Sequence, residues 1–195
     1  MPLTLAAAHK KIQSQAKRIK ELELLVTHDP LTGLLNRRGM EESLAHHFSI
    51  LSRDTCQKNN FAVLNLDLDR FKGINDTYGH FIGDEVIKYF GVTLTNLLRD
   101  DYDVVVRLGG DEFIVILPES NHAQAEHVKR KIKATLATNP FNADGITLSL
   151  RTSIGIATAL TPDDFEVRPF KKILEEADRD MYADKEKGRT LRNPK

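Results

Sequence analysis

Cysteine is nearly absent from this chain: Cys56 is the single one among 195 residues. No internal disulfide can form, which suits a reducing compartment. Net charge is absent as well. Acidic and basic residues number 28 each, so there is no global basic bias to suggest nucleic-acid or anionic-membrane binding. No apolar run approaches the roughly 20 residues needed to span a bilayer. The start lacks a signal peptide's charged-then-apolar order, because Ala6-Ala7-Ala8 precedes the lysines. A soluble, cytoplasmic protein is expected. Three familiar chemistries are excluded by missing motifs. There is no GxxxxGK(S/T) phosphate loop, no HExxH or paired CxxC for a metal, and no GxSxG nucleophile.

What is present suffices for a buried core, since 41% of the residues are hydrophobic. The length allows one ordinary domain plus an appendage. Residues 1–27 form the appendage. Leu5, Ile12, Ile19 and Val26 recur at one heptad position, and Ala8, Gln15 and Leu22 at the other. That spacing predicts a coiled coil or helical stalk that pairs with a second copy; a lone amphipathic helix folded back on the domain is the alternative. Residues 28–195 make the domain. Pro30 and Gly33 lie in a turn-rich connector, and Met40, Leu44, Phe48 and Leu51 then mark a first core helix.

Residues 61–68 read as a buried strand ending in Asp67-Leu68-Asp69. Turn formers Gly73, Asn75, Asp76 and Gly79 follow, and a long helix runs from Ile82 to about Arg99. A hairpin around Gly109-Gly110, a helix from Ala125, a strand or strand pair over 147–160 interrupted at Gly155, and a last helix to about Gly188 complete the order. Alternating helix and strand patterns with a hairpin in the middle predict an α/β (α+β) sandwich around a mainly antiparallel sheet.

The chemistry gathers at Arg107-Leu108-Gly109-Gly110-Asp111-Glu112-Phe113. Two glycines tolerate positive φ and let a ligand approach the backbone. Asp111 and Glu112 are presented at the tip of apolar strands. Taken alone, the stretch fits a cation-binding site or an ordinary acidic turn equally well. A strand ending in Asp67 is a natural neighbour in the same sheet, and together these carboxylates offer oxygen ligands for one or two divalent ions. Lys72 follows that strand. Lys185 and Arg189 share a face of the last helix at i, i+4, where they serve either as phosphate ligands or as partners of the helix dipole.

Five blocks, in order, resemble the GGDEF domains, the diguanylate cyclases of bacterial signalling. They are Asp29 to Arg38, Asp67 to Asp76, Tyr78-Gly79-His80 through Gly83-Asp84, the Gly109 to Phe113 signature with Arg107 before it, and Tyr182 to Arg189. The resemblance implies a five-stranded ferredoxin-like sheet of the nucleotidyl cyclase and polymerase-palm type. It also implies a homodimer that condenses two GTP into cyclic di-GMP with release of two pyrophosphates. By the same resemblance, Asp67, the Leu68 carbonyl, Asp111 and Glu112 bind Mg2+ (or Mn2+). Glu112, with Asp111, acts in catalysis. Asn75 and Asp84 read guanine; Lys72, Phe71, Gly109, Gly110, Lys185 and Arg189 contact the substrate. Asp69 is expected to be structural.

Two departures stand out. The family's product-binding RxxD pair falls on Asp100 to Asp103, with Asp100 in place of arginine, so strong feedback inhibition there is not expected. Asp184 and Thr190 replace the usual small residue and asparagine, in positions expected to be peripheral.

Overall fold

The computed structural model describes residues 5–51, 60–99, 102–159 and 170–192. Helix α1 spans Leu5–Thr27 and α2 Arg37–Leu51. Strand β1 (Phe61–Leu68) leads into α3 (Phe71–Leu97). The hairpin β2 (Val104–Gly109) and β3 (Glu112–Pro118) precedes α4 (His122–Thr138). Short strands β4 (Phe141–Ala143) and β5 (Ile146–Leu148), strand β6 (Thr152–Ala159) and helix α5 (Phe170–Arg192) follow.

The central sheet has the order β2-β3-β1-β6, and all its ladders are antiparallel. This is the mixed, mainly antiparallel architecture expected. Among the described residues the strands divide as four in that sheet and two in a separate β4-β5 hairpin, rather than five in one. The sheet is covered on both sides. Ala62, Leu64, Leu66 and Leu68 of β1 pack with Phe90 and Leu94 of α3 and with Ile132 of α4. Phe61 and Val63 of the same strand face Met40 and Leu44 of α2 and Ile173 and Ala177 of α5. Burial on both faces explains why β1 reads as an almost unbroken apolar run.

Two local readings differ from expectation. The turn formers at 73–79 lie inside α3, whose helix begins at Phe71 and breaks only at Gly79 (φ 82, ψ 164). Gly155 does not interrupt its strand. A Cβ there would lie 2.0 Å from the Ala177 carbonyl oxygen and 2.1 Å from the Met181 nitrogen, so its bare backbone is the seat on which α5 rests.

That contact closes the sheet edge. The Ile156 and Ile154 N–H groups of β6 donate to Asp180 Oδ2 (2.9 Å) and Asp184 Oδ2 (2.8 Å) of α5. Donors that an edge strand would leave open are thereby satisfied. Lys133 of α4 donates to Asp184 Oδ2 at 2.6 Å. Asp184, expected to be peripheral, therefore joins α4, α5 and β6. Burial pushes its carboxyl upward, but the Lys133 ammonium and the Ile154 N–H outweigh this and hold it below its ordinary value of 3.8.

Helix α1 joins the domain through the connector. Asn36 donates from its backbone to Thr27 O (2.9 Å) and from Nδ2 to Val26 O (2.9 Å). Ile12, Ile19, Leu22 and Val26 of the heptad pattern are all exposed, so these residues do not fold back onto the domain. No helix among the described residues is long and apolar enough to cross a membrane.

Gly155→Ala is expected to cost about 3 kcal/mol or more, because both neighbours are backbone and cannot rotate away; urea unfolding midpoints check this. Asp184→Asn is expected to flatten the acid limb of the stability profile. A carboxyl held low when folded contributes stability above its unfolded value, and this is lost as pH falls through the depressed folded value. Unfolding free energies from pH 7 down to 3 measure the difference.

Candidate active site

The site is built by strand register. β1 and β3 pair so that Asp67 lies opposite Glu112, with Leu66 opposite Phe113. Two carboxylates separated by 45 positions in the chain thus share one end of one sheet. The turn between β2 and β3 needs positive φ at Gly109 (143°) and Gly110 (53°), where side chains are strained. Arg107 holds this turn. Its Nη2 and Nε donate to the Gly110 carbonyl at 2.9 and 3.2 Å, and its Nη1 donates to Asp29 Oδ1 at 2.8 Å. Asp29 also accepts from the Thr32 N–H (2.9 Å) and hydroxyl (2.7 Å). The connector after α1 is thereby tied to the acidic turn.

Asp67 is nearly buried, at 9% exposure. Its Oδ1 accepts from Lys185 Nζ of α5 at 2.5 Å. A cleft of about 220 Å³ opens beside this pair, lined by Leu68, Asp69, Arg70, Phe71, Lys72, Asp111 and Lys185. The cleft lies against the first turn of α3, which carries no acidic residue and no side-chain cap. Free N–H groups at a helix start favour anions. Asp69 accepts from Ser153 Oγ at 2.6 Å, in keeping with a structural role.

Both tip carboxyls are held above their ordinary values. Burial is the main cause for Asp111, with the Asp67 charge adding to it. Burial also leads for Glu112, followed by Asp111 and Asp67. A neighbouring cation would relieve this crowding. The oxygen-only donor set of Asp67, Asp111, Glu112 and the Leu68 carbonyl fits Mg2+ or Mn2+ by ligand chemistry. No three His, Cys, Asp or Glu side chains among the described residues form a ready-made metal cage. The ammonium of Lys185 neutralises Asp67 instead, so metal entry would require that lysine to move.

The break at Gly79 folds α3 back on itself. A Cβ on Gly83 would lie 1.8 Å from Asn75 Oδ1 and 3.4 Å from the Phe71 ring. Asn75 therefore lies against Gly83, the residue before exposed Asp84. Its Oδ1 is buried without a hydrogen-bond partner among the described residues. Lys72 is exposed at the cleft. Arg189 belongs to α5, but its side chain lies outside the described residues, as does Asp100. Arg99, next to Asp100, is committed to Asp103, with Nη2 2.6 Å from Oδ1.

Sequence reasoning missed the Asp29–Arg107 tie and the part played by Asp180 and Asp184. The i, i+4 spacing of the two aspartates on α5 was the available sign. Asp111→Asn is expected to raise the melting temperature of the metal-free protein by about 2 °C or more. A carboxyl whose folded pKa is raised costs stability as pH climbs above its unfolded value, and the neutral amide removes the cost. Differential scanning calorimetry in a chelator at pH 7.5 reads this; a lower melting temperature would contradict it.

The profile of the family described as "Diguanylate cyclase, GGDEF domain" matches residues 26–191. The response regulator PleD of Caulobacter vibrioides is 35% identical over 192 residues, covering 94% of this chain and 41% of its own length. Diguanylate cyclase DgcZ of Escherichia coli is 34% identical over 161 residues, covering 83% of this chain and 51% of its own. The chain thus spans about half or less of these curated relatives. Among solved structures, the GGDEF domain of PA1120 from Pseudomonas aeruginosa aligns with a TM-score of 0.69 at 37% identity, covering 82% of this chain and 89% of that one. The coiled coil and GGDEF domain of DgcB from Caulobacter crescentus aligns with a TM-score of 0.79 at 23% identity, covering 94% and 93%; at that identity it speaks for the fold. With the profile matched over most of its length and the acidic turn, its arginine and the β1 carboxylate gathered at one end of the sheet, this chain belongs to the GGDEF family.

Proposed function

We propose that the chain is a diguanylate cyclase, which condenses two GTP molecules into cyclic di-GMP and releases two pyrophosphates. The carrying observation is the meeting of Asp67 and Glu112 across the β1–β3 ladder, with Asp111 and Lys185 lining the cleft beside them. In each of two steps the 3′-oxygen of one GTP bonds to the α-phosphorus of the other. The bond from that phosphorus to the β-phosphate's bridging oxygen breaks, and pyrophosphate leaves. Glu112, held above its ordinary pKa, suits the acceptor of the 3′-hydroxyl proton or a metal ligand. Mg2+ (or Mn2+), held by Asp67, the Leu68 carbonyl, Asp111 and Glu112, would supply charge neutralisation at the phosphates.

Lys72, Lys185 and Arg189 are assigned to the phosphates, beside the free N–H groups of α3. Phe71, Gly109 and Gly110 border the nucleotide. Asn75 and Asp84 take the guanine edge. A carboxylate there can accept from both guanine donors, which adenine does not present, so ATP should be rejected strongly. Each protomer holds one GTP, so two must face each other. The exposed heptad residues of α1 support pairing through that helix.

Purified protein with GTP and Mg2+ should yield a product with the mass of cyclic di-GMP. Asp111→Asn and Glu112→Gln should each lower turnover by about a thousandfold or more. GTP binding without product would instead identify a silent regulatory module. Removal of residues 1–27 should convert the dimer to monomer and make turnover steeply dependent on protein concentration. Light scattering and rate-against-concentration curves check this, and an unchanged dimer would refute the role of α1.

A further inference from the structure

A second cleft adjoins the first and has no part in the assignments above. It has a volume of about 400 Å³ and lies between the start of α3 and the segment from β5 to β6. Arg70 and Arg151 line it with Ser149, and Ile74, Leu148 and Leu150 form its apolar wall. Asp69 and Arg70 line both clefts, so the two are neighbours across those residues.

Several observations favour an anion as the occupant of this cleft. Both arginines stand without an ion pair or side-chain hydrogen bond to any other described residue. The chain as a whole is charge-balanced, and Lys133, Lys185, Arg99 and Arg107 each have an acidic partner. Arg70 keeps its place at the cost of an unfavourable backbone, with φ at 63°. Arg151 is held from its other side, because its carbonyl accepts from the Asp69 N–H at 2.9 Å. The Asp69 carboxylate between the clefts is turned to Ser153 Oγ, 2.6 Å away. Two arginines lining a cleft that also has an apolar wall suit a ligand with oxygens on two linked phosphorus atoms. The fork geometry matches phosphate oxygens, and the wall reduces competition from water.

We propose that this cleft is a second phosphate site that takes a diphosphate group, either as free pyrophosphate or as the diphosphate end of a nucleotide. Naming pyrophosphate rests on the proposed reaction, which releases it at the adjoining cleft; the anion site itself rests on Arg70 and Arg151. A diphosphate leaving the first cleft passes Asp69 and Arg70 into the second.

Isothermal titration of the full chain with pyrophosphate, without divalent metal, tests the site and needs no turnover. Wild-type protein should bind two equivalents. Arg151→Ala and the charge reversal Arg151→Glu should each remove one, with at least a tenfold loss of affinity for that equivalent. Lys72→Ala should weaken the other equivalent and spare this one. A parallel titration with GDP identifies the source: a second, Arg151-dependent equivalent of GDP points to a nucleotide, and its absence to free pyrophosphate. Arg151 is exposed, and circular dichroism melts verify that the variants fold. Isotherms of both Arg151 variants matching wild type would overturn the proposal, as would pyrophosphate binding no tighter than sulfate at equal ionic strength. Loss of cyclic di-GMP formation from GTP would sink the cyclase reading while leaving these isotherms to be judged separately.

Discussion

The pairing of β1 with β3 is the constraint from which the site follows. Its register puts Asp67 opposite Glu112, and a slip of one residue would turn Asp67 to the other face and bury a charge in the core. Register is secured by apolar side chains on both faces. Leu64, Leu66, Phe113 and Val115 go one way, and Val63, Ile114 and Ile116 the other. The core thus positions the carboxylates where the ladder ends and the glycine turn begins.

Acidic groups brought this close repel, and the surroundings manage the repulsion in two ways. Lys185 neutralises Asp67 directly. Asp111 and Glu112 are left with raised proton affinity, a strain that a bound cation would relieve. Lys185 is in place because α5 is fastened to the sheet edge by Asp180 and Asp184 and seated on Gly155. Asp184, next to Lys185 in sequence, faces β6 and Lys133 while Lys185 faces Asp67. One short stretch of helix therefore both anchors and delivers.

The acidic turn is also tied to the rest of the chain. Arg107 spans from the Gly110 carbonyl to Asp29, two residues after α1 ends. Asp29 is held below its ordinary pKa. Burial works against this, but the hydrogen bonds from Arg107 and Thr32 prevail. The stalk and the turn share one ionised carboxylate.

Much of the fold is legible in the sequence. β1, the β2–β3 hairpin, α2, α4 and α5 carry strong apolar periodicity, and the glycine-acid turn is a local feature that its own residues dictate. The helical start of α3 was hidden because Gly73, Asn75 and Asp76 read as turn formers; its packing outweighs their weak propensities. Gly155 looked like an interruption because the sequence does not reveal which backbone will rest on it. The Asp29–Arg107 tie, the Asp184 bridge and the Arg70–Arg151 cleft all join residues from separate segments. The sequence by itself determined most of the elements, the acidic tip and the family, since these depend on spacing along the chain. Only the tertiary structure decided which charges meet, because distance in space is set by how the two faces of one sheet are covered.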